Sequence, residues 1–154
     1  MMSDTTPDTD LGEVTHTRVL DAPREVVFRA FIEPEQLTHF WGPAGMSTPL
    51  ETIVIEPRPG GRFETVMVND ADGTAYPTKG VFLEVVAPER LVFGDPDGPE
   101  RQTITFTDLG GTTELTIHQE GLPAEYRTPE SLEGFNSYLD KLAGYVAGIQ
   151  GGAA

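Results

Sequence analysis

The chain of 154 residues contains no cysteine. That absence excludes disulfide staples, thiolate zinc sites and a cysteine nucleophile, and it suits a reducing cytoplasm. Positive charge is scarce as well: 10 Lys and Arg stand against 25 Asp and Glu, a formal charge of -15. Phosphate backbones and anionic lipid surfaces are repelled by such a surface over about 8 Å in physiological salt, so nucleic acid is not an expected partner. Long apolar runs are missing too. No stretch approaches the ~20 residues of a membrane span, and Met1 to Glu13 is acidic and polar where a secretory signal is basic and then apolar. Together these absences predict a cytoplasmic protein without a membrane span.

What the chain does have is turn formers, with 17 Gly and 13 Pro. Many turns in a short chain imply many short strands, and this length can bury roughly 70% of its unfolded surface in one core. Residues 1–12 carry Asp4, Asp8 and Asp10 with almost nothing apolar, and are expected to form a disordered acidic tail. The folded domain is then expected over 13–150, with a flexible end at 151–154.

Val14 to Leu20 reads as a first strand. Asp21-Ala22-Pro23 stops it and starts a helix whose apolar positions are Val26, Val27, Ala30 and Phe31. Glu33-Pro34 ends that helix and opens a second short one carrying Leu37, Phe40 and Trp41, which Gly42-Pro43 closes. From there to Glu120 the pattern is a meander: Thr52 to Glu56, Arg62 to Val68, Tyr76 to Val86, Arg90 to Phe93, Gln102 to Thr107 and Thr112 to Gln119. Turn signals at Pro59-Gly60-Gly61, Asp72-Gly73, Pro88-Glu89, Asp97-Gly98-Pro99 and Gly110-Gly111 separate these runs, too tightly spaced for parallel crossovers.

Alternation puts Ile104 with Phe106, and Leu115 with Ile117, on one apolar sheet face. The last segment can cover it. Leu132, Phe135, Leu139, Leu142, Val146 and Ile149 recur at helical spacing from a Thr128 cap to a stop at Gly151, a helix of about 30 Å. Gly134, Gly144 and Gly148 each cost this helix about 1 kcal/mol relative to Ala, to be explained by close packing, by fraying, or by a helix loose enough to admit a ligand.

The ordered motifs Ala22-Pro23 with Val26-Val27-Phe28-Arg29-Ala30, Phe40-Trp41-Gly42-Pro43, Pro59-Gly60-Gly61-Arg62-Phe63, Gly80-Val81-Phe82-Leu83-Glu84-Val85, Pro88-Glu89-Arg90-Leu91-Val92, Gly111-Thr112-Thr113-Glu114-Leu115 and Gly134-Phe135 carry a resemblance. The chain resembles the START-like (SRPBCC, Bet v-like) superfamily, and within it the activator of heat-shock-protein-90 ATPase homologue-like group. The resemblance implies an α+β helix-grip fold: a curved antiparallel β-sheet wrapped around a long C-terminal α-helix, with two short helices after the first strand. Two residues depart from the family pattern, Phe135 in place of a Trp and Phe40 in place of the first Trp of a pair.

The same resemblance implies an internal hydrophobic cavity between helix and sheet, and so a small-molecule binding protein for a lipid-like, aromatic or polyketide ligand. Its candidate wall is Trp41, Phe40, Met67, Phe106, Leu115, Phe135, Tyr138 and Leu139. An alternative implied by the superfamily is a polyketide cyclase or aromatase working in the same cavity, with Tyr76, Arg62, Glu64 and Tyr138 as polar candidates. The group name also implies a cochaperone-like interaction module. A chaperone partner is disfavoured because the eukaryotic activator carries a separate N-terminal binding domain where this sequence has a short tail. Exposed strand edges leave room for a homodimer.

No catalytic constellation emerges from the residues themselves. His118 and Glu120 share a strand face that points outward if Leu115 and Ile117 point in, and Glu35 with His39 gives two ligands where zinc needs three or four. His16 joins no pattern. Ser3, Ser47, Ser131 and Ser137 lie in no nucleophile elbow, and Asn69 to Gly73 reads as a hairpin rather than a calcium loop. No cofactor and no metal are expected.

Overall fold

The computed structural model describes residues 12–95, 97–124 and 127–153, without the side chains of 149–153. The expected tail therefore lies outside the described residues, except for Gly12, which opens the first strand. In chain order the elements are β1 (Gly12–Leu20), α1 (Arg24–Ile32), α2 (Pro34–Leu37), β2 (Met46–Ser47), a 3-10 turn (Leu50–Thr52), β3 (Val54–Ile55), β4 (Arg62–Asn69), β5 (Ala75–Val86), β6 (Arg90–Gly94), β7 (Arg101–Asp108), β8 (Thr113–Leu122) and α3 (Pro129–Ala153).

All pairings are antiparallel, in the order β1-β8-β7-β6-β5-β4-β2, with β3 also on β4. The sheet curls around α3, giving the helix-grip arrangement. Its hairpins form where the turn residues stand. Between β4 and β5 the Gly73 N–H donates to the Asn69 carbonyl at 2.7 Å and the Ala71 N–H to Asn69 Oδ1 at 2.8 Å, so Asn69 to Gly73 is a turn.

Three boundaries differ from the sequence reading. The strand expected over Thr52 to Glu56 is a turn followed by two strand residues, because Thr52 Oγ1 donates to the Pro49 carbonyl at 2.7 Å and the Ile53 N–H to Leu50 at 3.1 Å. The second helix ends at Leu37. His39 and Phe40 then make tight bonds back to Gln36 and Leu37, which puts Trp41 in the loop beyond, where Gly42 takes φ 99°. Finally, α3 runs through Gly151 to Ala153. A glycine stops a helix by turning left-handed, and residues 151–153 stay helical.

The core fills one end of the grip. Phe106 on β7 meets Phe28 and Phe31 of α1 at ring distances of 5.2 and 5.6 Å, and Phe31 meets Phe40 at 5.3 Å. Leu115 and Ile117 of β8 and Leu139, Leu142 and Val146 of α3 complete it, each with 2% exposure or less. Thr128 caps α3 by accepting the Ser131 N–H at 3.1 Å.

Candidate functional site

The strand rows that build this core change character toward the other end of the sheet. On β7 the inward positions run Phe106, Ile104, Gln102, and on β8 they run Leu115, Ile117, Gln119. Gln102 and Gln119 are direct cross-strand partners. Helix α3 changes in parallel: Tyr138, Leu139, Leu142 and Val146 are buried, whereas Ser131, Leu132, Gly134 and Phe135 nearer its start are half-buried. Helix and sheet therefore grip tightly at one end and stand apart at the other. The gap is a cleft of about 710 Å³.

Its walls are aromatic. The ring of Trp41 meets Phe63 at 5.2 Å and Tyr138 at 5.5 Å, both edge to face, and Phe135 meets Tyr138 the same way at 5.1 Å. On the opposite side the imidazole of His16, from β1, stacks on Phe135 at 4.0 Å and 12°. Thr78, Lys79, Glu100, Gln102, Gln119, Glu130 and Ser131 add a polar border. The oily chamber implied by the resemblance is thus half polar, because the inward strand positions at this end carry glutamine.

Two polar atoms belonging to wall residues are buried without partners. The Tyr138 hydroxyl is buried and makes no hydrogen bond, and neither does His16 Nε2. Burial raises the Tyr138 phenol above its ordinary value and lowers the His16 imidazole below its own, favouring the neutral form of each.

The mouth is shaped by residues 42–46. Its two glycines, Gly42 and Gly45, take φ of 99° and 91°. Between them the Ala44 N–H donates to Ser137 Oγ at 2.9 Å, and Lys141 Nζ reaches the Pro43 and Met46 carbonyls at 3.4 Å. Burial lowers the Lys141 pKa, with Asp70 acting weakly in the other direction. Three contacts from α3 thus hold this loop beside the cleft. A second, smaller hollow adjoins the cleft at Met67 and Pro77 and reaches Met46 and Tyr76.

Of the eight wall residues expected from sequence, Trp41, Met67, Phe135 and Tyr138 line the cleft. Phe40, Phe106, Leu115 and Leu139 sit in the closed core instead, since they belong to the end where α1 and α3 pack onto the sheet. The sequence reading missed His16, Gln102 and Gln119 as lining residues. The signal was strand parity: His16 alternates with Val14 and Leu20, and each glutamine with the apolar residues of its own strand.

The polar candidates for catalysis do not converge. Arg62 pairs with Glu56 at 3.3 Å across the β3–β4 hairpin, Glu64 lies on the face opposite Phe63 and Thr65, and Tyr76 is 46% exposed. Tyr138 alone among the four lines the cleft. His39 stacks on Tyr145 at 5.2 Å. His118 and Glu120 meet Glu13 on the outer face, their ligand atoms all within 4.8 Å, and His118 is held by Glu13 at 3.1 Å and Thr15 at 2.8 Å. Hydrogen bonding of the His118 ring to Glu13 and Thr15 accounts for these contacts.

A curled sheet gripping a long helix above an open cleft defines a protein of the START-like class. More narrowly, the chain belongs to the family described as Activator of Hsp90 ATPase homolog 1-like protein, which matches residues 21–147. No curated protein matches it. Among solved structures, a protein from Chromobacterium violaceum is 31% identical with a TM-score of 0.76, covering 88% of this chain and 96% of its own. One from Nitrosomonas europaea is 25% identical, TM-score 0.78, covering 91% and 97%. An AHSA1 protein from Silicibacter pomeroyi, 24% identical with a TM-score of 0.74 over 88% and 97%, shares the fold. No helix among the described residues is long and apolar enough to cross a membrane.

Proposed function

We propose that the protein binds one small molecule in the cleft between α3 and the sheet, and carries or sequesters it. The observation that supports this is the cleft itself: about 710 Å³, within the roughly 300–1,000 Å³ of ordinary ligand sites, walled by Trp41, Phe135 and Tyr138. Family membership supports the same reading, since members of this superfamily commonly bind ligands. The ligand class is lipid-like, aromatic or polyketide, and the site of action is the cytoplasm, to which a cysteine-free chain is suited.

Native mass spectrometry against a panel of fatty acids, flavonoids and aromatic polyketides tests it. The expected result is a 1:1 complex that disappears in Gly134→Phe. Gly134 lines the cleft, and a Cβ added there meets only Pro43, at 3.5 Å, so a side chain at this position is expected to enter the cleft without breaking the helix. Complexes that survive this substitution, or none with any panel member, would contradict the proposal.

A further inference from the structure

The polar border of the cleft is unevenly charged. Its ionisable residues are Glu100, Glu130 and Lys79, set among the neutral Gln102 and Gln119. Among the described residues neither carboxylate is in an ion pair. Lys79 has Glu64 as its direct cross-strand partner, so its charge is partly offset within the β4–β5 hairpin. Lys141 of α3 is turned onto the Pro43 and Met46 carbonyls. The rim is therefore negative, in a chain whose net charge is -15.

The two carboxylates belong to one side of the cleft. Glu100 directly precedes β7, and Glu130 follows closely on Arg127, whose guanidinium donates to the Leu122 carbonyl at the end of β8. On the other side of β6 the cleft adjoins the hollow lined by Met46, Met67, Tyr76 and Pro77, which has no charged residue. A molecule lying across the sheet thus meets acid at one end and apolar surface at the other. Both carboxylates are exposed, so an ammonium beside them keeps part of its hydration. A carboxylate placed there is repelled, and an uncharged end leaves both acidic groups unpaired.

We infer that the cleft selects an amphiphilic amine, with its apolar ring-bearing body against Trp41 and Phe135 and its protonated nitrogen at the rim beside Glu100 and Glu130. This rests on the proposed binding function and adds the charge of the ligand to it. The aromatic walls supply affinity for any ring system, and the two carboxylates discriminate by charge. Glu130 also suits the first turn of α3, where a carboxylate complements the helix dipole, so Glu100 is the cleaner position to test.

Isothermal titration calorimetry on the full chain at low salt tests the inference with three probes of similar shape: 1-(2-naphthyl)ethylamine, 2-acetylnaphthalene and 2-naphthoate, which are cationic, neutral and anionic at neutral pH. The amine is expected to bind about fivefold tighter than the ketone, the ratio for two solvent-exposed charge pairs, and the naphthoate weakest. Salt at about 0.5 M, which shortens screening to about 4 Å, should bring amine and ketone to within about twofold. Glu100→Gln should do the same at low salt by weakening the amine alone. Glu51→Gln removes the same charge from an exposed position outside the cleft and should leave the ratio unchanged. Equal affinity for amine and ketone, naphthoate binding tightest, or a preference that survives Glu100→Gln or falls equally in Glu51→Gln would overturn this inference while leaving a ligand in the cleft. Absence of binding by all three probes would overturn the inference and count against the binding function too.

Discussion

The imidazole of His16 lies flat against the phenyl ring of Phe135, with centroids 4.0 Å apart and planes 12° from parallel. This contact joins the sheet-edge strand β1 to the half of α3 that stands off the sheet. Arg18, two residues further along the same strand face, reaches Asp140 of α3 at 2.9 Å. The edge strand is therefore tied to α3 by a stack on the cleft wall and, further along the helix, by a solvent-exposed ion pair.

The stack makes stability depend on pH in a defined direction. Burial lowers the folded-state pKa of His16 below its ordinary 6.5, so between the two values the unfolded chain binds more protons. The His16 contribution is complete above about pH 6.5 and is lost as the pH falls through the folded-state value. His16→Phe keeps a ring against Phe135 and removes the titration. Thermal unfolding at about pH 7.5 and pH 5.5 should show the wild type losing more stability on acidification than the variant.

Tyr138→Phe should leave folding stability unchanged or raise it by up to about 1–2 kcal/mol, because the hydroxyl is buried without a partner. Phe106→Ala, in the closed core, should cost about 3–5 kcal/mol. Urea denaturation compares them. A loss above about 1 kcal/mol in Tyr138→Phe would mean that its hydroxyl is satisfied within the protein.

The mouth loop should loosen when its contacts to α3 are removed. Ser137→Ala deletes the acceptor of the Ala44 amide, and the net worth of such a bond is about 0.5–1.5 kcal/mol. Hydrogen exchange at Ala44 should then speed up about three- to tenfold, while amides of the closed core, such as Leu142, keep their rates.

Two glycines should respond in opposite senses. A Cβ at Gly144 meets nothing within 4 Å, so close packing does not explain that residue, and Gly144→Ala should stabilise the helix by about 0.5–1 kcal/mol. A Cβ at Gly61 would collide with the Glu56 carbonyl, a backbone atom that cannot swing aside, so Gly61→Ala should destabilise strongly. Thermal denaturation of both variants checks the pair.

Much of the fold was legible because its signals are local. Hairpin glycines, the Thr128 cap and the apolar spacing of α3 each specify their own segment. The cleft was only half legible. Trp41 and Tyr138 look no different in sequence from Phe40 and Leu139, since all four are ring or apolar residues at helical or loop positions. Which of them line the gap depends on where α3 leaves the sheet, a long-range property. His16 was missed for a related reason: it was weighed as a ligand or acid, whereas its place on the inward face of β1 was the informative fact. Thr52 shows the limit of strand propensity, since its side chain closes a turn instead.

The most direct test of the account uses the only tryptophan in the chain. A two-dimensional proton–nitrogen NMR spectrum of the full chain carries one indole N–H signal, from Trp41, and it can be followed while 2-acetylnaphthalene is titrated in. The account predicts a saturable shift of that signal together with the amides of Gly134, Phe135 and Tyr138. An indole signal that stays still while outer-face amides such as Thr15 and His118 move, or a spectrum that does not change at all, would contradict it.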